Sequence, residues 1–252
     1  MRTGLGLGVT YDVDAEFLSS YSLSFDGNND YVSVGDHSSL DITDAITLSA
    51  WINAENLDSV WNVVVGKFGS DGGKYPYVLM IKKSDGDNPP KIALSINNST
   101  KYADTTITTG SWIHIAGTYD KDAGGSDEIK LYLNGNLDGD GNYSNPIDTN
   151  DDALEIGRYG FSSGGGYFNG KIDEVALWDA ALSEKDIKRI YNNGMPNNLL
   201  LPGVYATDRT SNLKGWWRFE EGSGTSVADS SGNGNTGTIS GASSGGGKQL
   251  PI

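Results

Sequence analysis

The chain has no cysteine, which excludes disulfides, thiolate zinc sites and a cysteine nucleophile. With two histidines in the chain, His37 and His114, a histidine-based metal or catalytic centre is not expected. No apolar run reaches the length that spans a membrane, and Met1-Arg2-Thr3-Gly4-Leu5-Gly6 lacks the apolar stretch of a secretory signal. Gly4-Leu5-Gly6-Leu7-Gly8 has neither the Lys nor the following helix of a phosphate loop. Basic residues are scarce, 18 Lys and Arg against 33 Asp and Glu, for a net charge of −15. Nucleic acid and anionic membrane surfaces need clustered cations, so neither is an expected partner. Glutamate is scarce too, 8 residues beside 25 Asp, 21 Asn and 35 Gly. Glu favours helices whereas Asp, Asn and Gly favour turns, so the balance predicts many short strands and tight turns.

The 252 residues suffice for one or at most two domains. Residues 1–20 form a Gly-rich, then acidic, arm that either packs on a neighbour or frays. From Tyr21 the pattern is of period two. Tyr21, Leu23 and Phe25 alternate with Ser22, Ser24 and Asp26, Gly27-Asn28-Asn29-Asp30 turns the chain, and Tyr31, Val32 and Val34 follow. Further strands are expected at Ile46–Ile52, Val60–Lys67, Tyr77–Lys82, Lys91–Ile96, Ser111–Tyr119, Glu128–Leu133, Ala153–Ile156 and Gly170–Trp178. Short strands at this spacing indicate an antiparallel sandwich or barrel. Asn134-Gly135 reads as a tight hairpin turn. One helix is expected, with Ser183 as N-cap, Asp186 three residues on, and Asn193-Gly194 as its end. Residues 195–213 read as a linker. Strand character returns at Trp216-Trp217-Arg218-Phe219 and at Thr236–Ile239, and residues 241–252 read as a loose tail.

These residues resemble a known family. Phe25-Asp26-Gly27 with Asp30-Tyr31-Val32, then Leu48-Ser49-Ala50-Trp51-Ile52, is similar to the opening of laminin-G-like, concanavalin A-like jelly rolls. Trp112 through Asp120, Leu131-Tyr132-Leu133-Asn134-Gly135, Ile156-Gly157-Arg158 and Phe168 through Trp178 follow in family order, and Leu182-Ser183 opens the closing helix. The resemblance covers residues 21–194 and implies an all-β, two-sheet jelly-roll sandwich. The stretch Gly215–Thr225, with Val227-Ala228-Asp229 through Asn235, resembles the segment that normally precedes Phe-Asp-Gly, but here it follows the sandwich. About 25 residues cannot bury a core alone. Residues 214–240 are therefore expected to complete the sandwich, in cis or by exchange between subunits. The layout also resembles laminin-G-like proteins carried by bacteriophages, which implies a virion or extracellular-surface location.

In such sandwiches a structural calcium commonly ties the first strands to the last. The resemblance carries this role to Asp26, Gly27, Asp173 and Asp229, with Asn28 and Asp30 in the adjoining turn. Oxygen-rich loops suit a hard cation, though the same Asp residues are also turn caps. Trp61, Tyr75, Tyr77, Tyr159, Phe161 and Tyr167 lie in or beside expected loops, where ring faces either stack on pyranose C–H groups or pack ordinarily. Trp51, Trp112, Trp178 and Phe168 are expected in the core. His114 reads as a sheet residue, and Arg158 as either a ligand donor or half of a cross-strand ion pair. Related glycoside hydrolases place a Glu, an Asp and a further Glu at short spacing on one strand. Lys171-Ile172-Asp173-Glu174 lacks the first acid, so catalysis is not expected. The expected protein is a calcium-stabilised, non-catalytic carbohydrate-binding or adhesion module. Its expected partner is a glycan or another virion or surface protein, with self-association left open. A purely structural virion component is the competing reading, and a hydrolase or lyase the third.

Overall fold

The computed structural model describes residues 17, 19–69, 75–83, 88–125, 127–160 and 166–246. The alternating segments form β1 (Tyr21–Asp26), β2 (Tyr31–Gly35), β3 (Ala45–Asn56), β4 (Trp61–Lys67), β5 (Tyr77–Lys82), β6 (Lys91–Ile96), β7 (Ser99–Thr106) and β8 (Ile113–Asp120). They continue with β9 (Ile129–Leu133), β10 (Asn136–Gly141), β11 (Leu154–Ile156), β12 (Asn169–Trp178), α1 (Glu184–Tyr191), β13 (Leu213–Trp217), β14 (Ser226–Val227), β15 (Gly237–Ser240) and β16 (Ser243–Gly246). One sheet runs β10-β9-β8-β3-β12-β1-β16, with β13 also on β12, and the other runs β14-β15-β2-β11-β4-β5-β6-β7. This is an antiparallel jelly-roll sandwich, as the sequence implies.

Side chains alternate along each strand, so one face of each sheet turns inward. Leu48, Ile52, Ile115, Leu131 and Ile172 from the first sheet meet Val32, Leu79, Ile81, Leu94 and Ile156 from the second in one buried core. Asn134 and Gly135 both have positive φ, 49° and 78°, and close the β9–β10 hairpin. The outer face of the first sheet is covered by α1. Ile187 and Ile190 of the helix pack with Ala116, Tyr132 and Trp178. Ser183 caps the helix by accepting the Asp186 N–H, and Asp186 accepts the Ser183 N–H in return.

Residues 195–213 are not a bare linker. Leu199, Val204, Tyr205 and Leu213 are buried in the same outer layer as Trp216, because the apolar face of the first sheet extends beyond the reach of one short helix. The displaced segment pairs with both sheets. Trp217 and Phe219 enter the central core, while Trp216 and Arg218 face the outer layer, as alternation requires. Its neighbour in the first sheet is β12. β1 pairs with Asn169–Ile172 and β13 with Val175–Trp178, so the two lie end to end along one edge of β12. β15 pairs with β2 in the second sheet. The tail, read as loose, contains β16, which pairs with β1 from Tyr21↔Gly246 to Ser24↔Ser243. Main-chain hydrogen bonds suffice there, and no side-chain pattern announces them.

Candidate functional site

The strand β5 is apolar on both sides: Tyr77, Leu79 and Ile81 face the core, while Val78 and Met80 face outward and are nevertheless buried. What buries them is a layer of aromatic rings on the outer face of the second sheet. Val63, Phe68, Val78, Met80 and Ala93 form its floor, and the half-buried Trp61, Tyr75, Tyr102 and Tyr159 pack against it. Tyr159 is central. Its ring centroid lies 4.9 Å from Phe68, 5.2 Å from Tyr75 and 5.5 Å from Trp61, the first two edge to face. The Tyr159 and Tyr75 hydroxyls are hydrogen-bonded to each other. Burial and the Tyr75 partner push the Tyr159 phenol up from its ordinary value, so it stays a protonated donor. Gly166 lets this ring sit where it does: with φ of 96°, any Cβ there would lie 2.6 Å from Tyr159 Cβ.

Charged groups border the rings. Lys82 Nζ lies 3.7 Å above Trp61 and 5.8 Å from Tyr102. Arg158 stacks 3.4 Å over Tyr31 and is gripped by Glu155, to which Nε donates at 2.8 Å and Nη2 donates as well. These bonds, with a contribution from Tyr167, raise the guanidinium above its ordinary value. A shallow cavity of about 130 Å³ beside them is lined by Phe68, Asp152, Ala153, Glu155 and Gly160. Rings, hydroxyls and an oriented ion pair on one surface can hold a flat, polyhydroxylated ligand, with C–H faces against the rings and hydroxyls against the polar groups.

Of the aromatics expected at a site, Trp61, Tyr75 and Tyr159 are brought together, and Tyr167 joins through Arg158. Phe161 lies outside the described residues. Tyr77 does not belong: as the first residue of β5 it points into the core, where its hydroxyl donates to the Leu40 carbonyl at 2.8 Å. Phe68, Tyr102 and Lys82 escape a reading of the sequence, because only strand register reveals which rings share a face. Trp51, Trp178 and Phe168 are buried, whereas Trp112 is only half-buried. His114 is a buried sheet residue, its ring 5.2 Å from Trp51 and 6.1 Å from Tyr191.

The residues expected to hold calcium do not converge. Asp26 caps its own turn, accepting the Asn28 N–H at 2.8 Å and the Asn29 N–H at 3.3 Å, and Gly27 supplies the positive φ of that turn. Asp26 is opposite Asn169 on β12, four residues from Asp173, a separation of about 13 Å along the strand. Asp173 is fully buried and accepts the Ser19 hydroxyl at 2.7 Å and the Glu174 N–H at 2.8 Å. Asp229 accepts the N–H groups of Trp216, Ser231 and Asn235. Each carboxylate is thus engaged in a separate place, and the four expected ligands do not fit one cage. Among the described residues no three His, Asp or Glu side chains gather into a metal-binding group.

The acidic pair Asp173-Glu174, the part of this chain most similar to a hydrolase strand, is sealed. Glu174 sits at a bulge with φ of 49° and accepts Trp216 Nε1 at 2.7 Å and Arg218 Nε at 3.3 Å. Desolvation and the adjacent Asp173 charge hold its carboxyl well above the ordinary range. A larger cavity, about 610 Å³, lies on the opposite face of the molecule between α1 and residues 197–204. Its Lys188 and Arg189 stand in the last turn of the helix, where they offset the helix dipole.

Residues 26–188 match the model of the concanavalin A-like lectin/glucanases superfamily. The chain belongs to that superfamily. Mouse pappalysin-1 is 24% identical over 191 residues, 69% of this chain but only 11% of that protein, so the chain spans about a tenth of this relative. Among solved structures, a candidate carbohydrate-binding protein from Bacteroides ovatus superposes with a TM-score of 0.69 at 23% identity, covering 91% of this chain and 60% of that one. The heptameric SAP-like pentraxin of Limulus polyphemus gives 0.54 at 15% identity, over 88% and 96%. The CBM40 module of the Ruminococcus gnavus IT-sialidase, solved with α2,3-sialyllactose, gives 0.52 at 15%, over 69% and 98%. At these identities the likeness to this concanavalin A-like sandwich is one of fold.

Proposed function

We propose that this concanavalin A-like sandwich is a non-catalytic module that binds glycans on the outer face of its second sheet. The observation that carries the reading is the aromatic layer around Tyr159, half-buried rings that floor a surface bordered by Lys82, Arg158 and Glu155. That one fold relative was solved with a sialylated sugar agrees with it. The sealed positions of Asp173 and Glu174 speak against their use as an acid–base pair, since both carboxylates are buried. Calcium has no part in this proposal, because its expected donors stand apart. Adhesion on a cell or virion exterior is the setting we assign, where glycans are met.

The test is a glycan microarray with the intact chain, alongside Trp61→Ala and Tyr159→Ala. A sugar-selective signal is expected for the parent, falling at least about tenfold in both variants while their melting temperatures stay near the parent's. A parent that binds nothing across the array would leave the purely structural reading in its place. Release of reducing ends from any bound polysaccharide would overturn the non-catalytic assignment.

A further inference from the structure

Lys82 of β5 and Lys91 of β6 are directly opposite in register, and the same row runs from Trp61 on β4 through both lysines to Thr106 on β7. Opposite residues of an antiparallel pair share a face, and like charges in that relationship repel. This chain has acids in large surplus, 33 against 18 bases, yet among the described residues no salt bridge reaches either lysine. Elsewhere in the sandwich the buried Lys67 is held by two carboxylates, Asp36 and Asp41. On the aromatic face the two lysines are paired in register, and Lys82 has the Trp61 and Tyr102 rings as its neighbours. Desolvation also lowers the Lys82 ammonium from its ordinary value.

We propose that the aromatic face selects saccharides bearing an anionic substituent, a carboxylate or a sulfate ester, and that Lys82 and Lys91 receive it. The inference rests on the glycan-binding reading above and names the ligand class for the same surface. Its mechanism follows from where the Lys82 ammonium sits. It covers the face of Trp61 at 3.7 Å, the face on which a pyranose would stack. A neutral sugar must displace the ammonium and forfeit its cation–π contact with nothing in return. An anionic sugar draws Lys82 aside into a charge-assisted hydrogen bond, relieves its repulsion with Lys91, and uncovers the ring in the same movement. Lys82 thereby discriminates twice, as a donor to anions and as a cover against neutral rings.

The experiment is calorimetric titration of the full chain with two matched pairs. One is an oligogalacturonate and its methyl ester; the other is a sulfated galacto-oligosaccharide and its desulfated form. At least one charged member should bind about tenfold or more tightly than its neutral counterpart, and the arm that responds identifies the carboxylate or the sulfate as the preferred group. The gap should shrink in 0.5 M salt, about where screening reaches only a few ångströms. In the double variant Lys82→Gln, Lys91→Gln, whose fold is checked by melting, the gap should close and neutral sugars should bind as well as before or better. Equal binding within both pairs, or an anion preference that survives the double variant, overturns the lysine assignment; loss of that binding in Trp61→Ala would still leave the aromatic face standing. If no probe binds and the array is silent, both readings fall together.

Discussion

Glu220 and Ser20, 200 positions apart in the chain, are joined by a hydrogen bond in which the Ser20 main-chain N–H donates to Glu220 Oε1 at 2.8 Å. The Tyr21 N–H donates to the same oxygen at 3.1 Å. The bond sits where β13 and β1 meet end to end along β12, and it gives the Ser20 and Tyr21 N–H groups a side-chain acceptor beyond the β1–β12 ladder, which begins at Leu23. Glu220→Ala should destabilise the sandwich by about 1 kcal/mol, the ordinary net worth of such bonds at a half-exposed site. Glu220→Gln should lose less. The midpoint of denaturant unfolding measures both, and an unchanged midpoint in the Ala variant would mean that the strands hold the seam unaided.

Trp217 is fully buried between the sheets, its indole N–H donating to the Asn235 carbonyl at 2.7 Å. Trp217→Ala should therefore cost about 3–5 kcal/mol, as large-to-small core changes do. Gly215→Ala should also be damaging, since a Cβ at that position meets the Trp217 ring at 2.3 Å. Melting curves of the two variants test this; a Trp217→Ala protein that melts with the parent would show the displaced segment to be dispensable.

The separate engagements of Asp26, Asp173 and Asp229 make a prediction about calcium. Single Ala variants should lower stability through unrelated contacts, their effects should add in the double variants, and a chelator should leave every melting temperature unchanged. Strong non-additivity together with a chelator response would reinstate a shared ion.

Glu174 gives the fold a pH dependence whose sign is fixed. Its proton is held more tightly in the folded protein than in the unfolded chain. Between the ordinary glutamate range and that raised value the native state binds more protons, so this group's contribution to stability falls as pH rises. The parent should gain stability as pH is lowered from neutral toward the ordinary glutamate range, and Glu174→Gln should flatten that part of the curve. Urea midpoints at several pH values provide the check; the same slope in both proteins would exclude Glu174 as its source.

The parts of the fold that are readable from sequence are those whose side chains alternate or run apolar between turn formers. β5 and β6 have the expected bounds, Tyr77–Lys82 and Lys91–Ile96. β7 and β10 give no such signal, because edge strands are polar: Ser99–Thr106 and Asn136–Gly141 expose much of their length, and they meet across the two sheets where Thr105 Oγ1 donates to Asp138 Oδ1 at 2.6 Å. The site is half legible. Trp61, Tyr75 and Tyr159 stand out as aromatics near turns, but Tyr77 looks the same in sequence and points the other way. Lys82 and Lys91, nine residues apart, acquire meaning only from the β5–β6 register. The expected calcium donors stand apart for a related reason: resemblance carries over residue types, whereas a cation cage depends on distances between strands.

Because β16 returns antiparallel beside β1, Tyr21 lies opposite Gly246, and the first and last strands of the described residues meet at one point on the rim. A tension applied between those two residues acts along the direction of the ladder hydrogen bonds, across the strands. Such a load peels a ladder rung by rung, whereas a load along the strands must shear all rungs at once. A pull applied to these two residues would therefore strip β16 first. The aromatic face lies on the other sheet and is no part of that ladder.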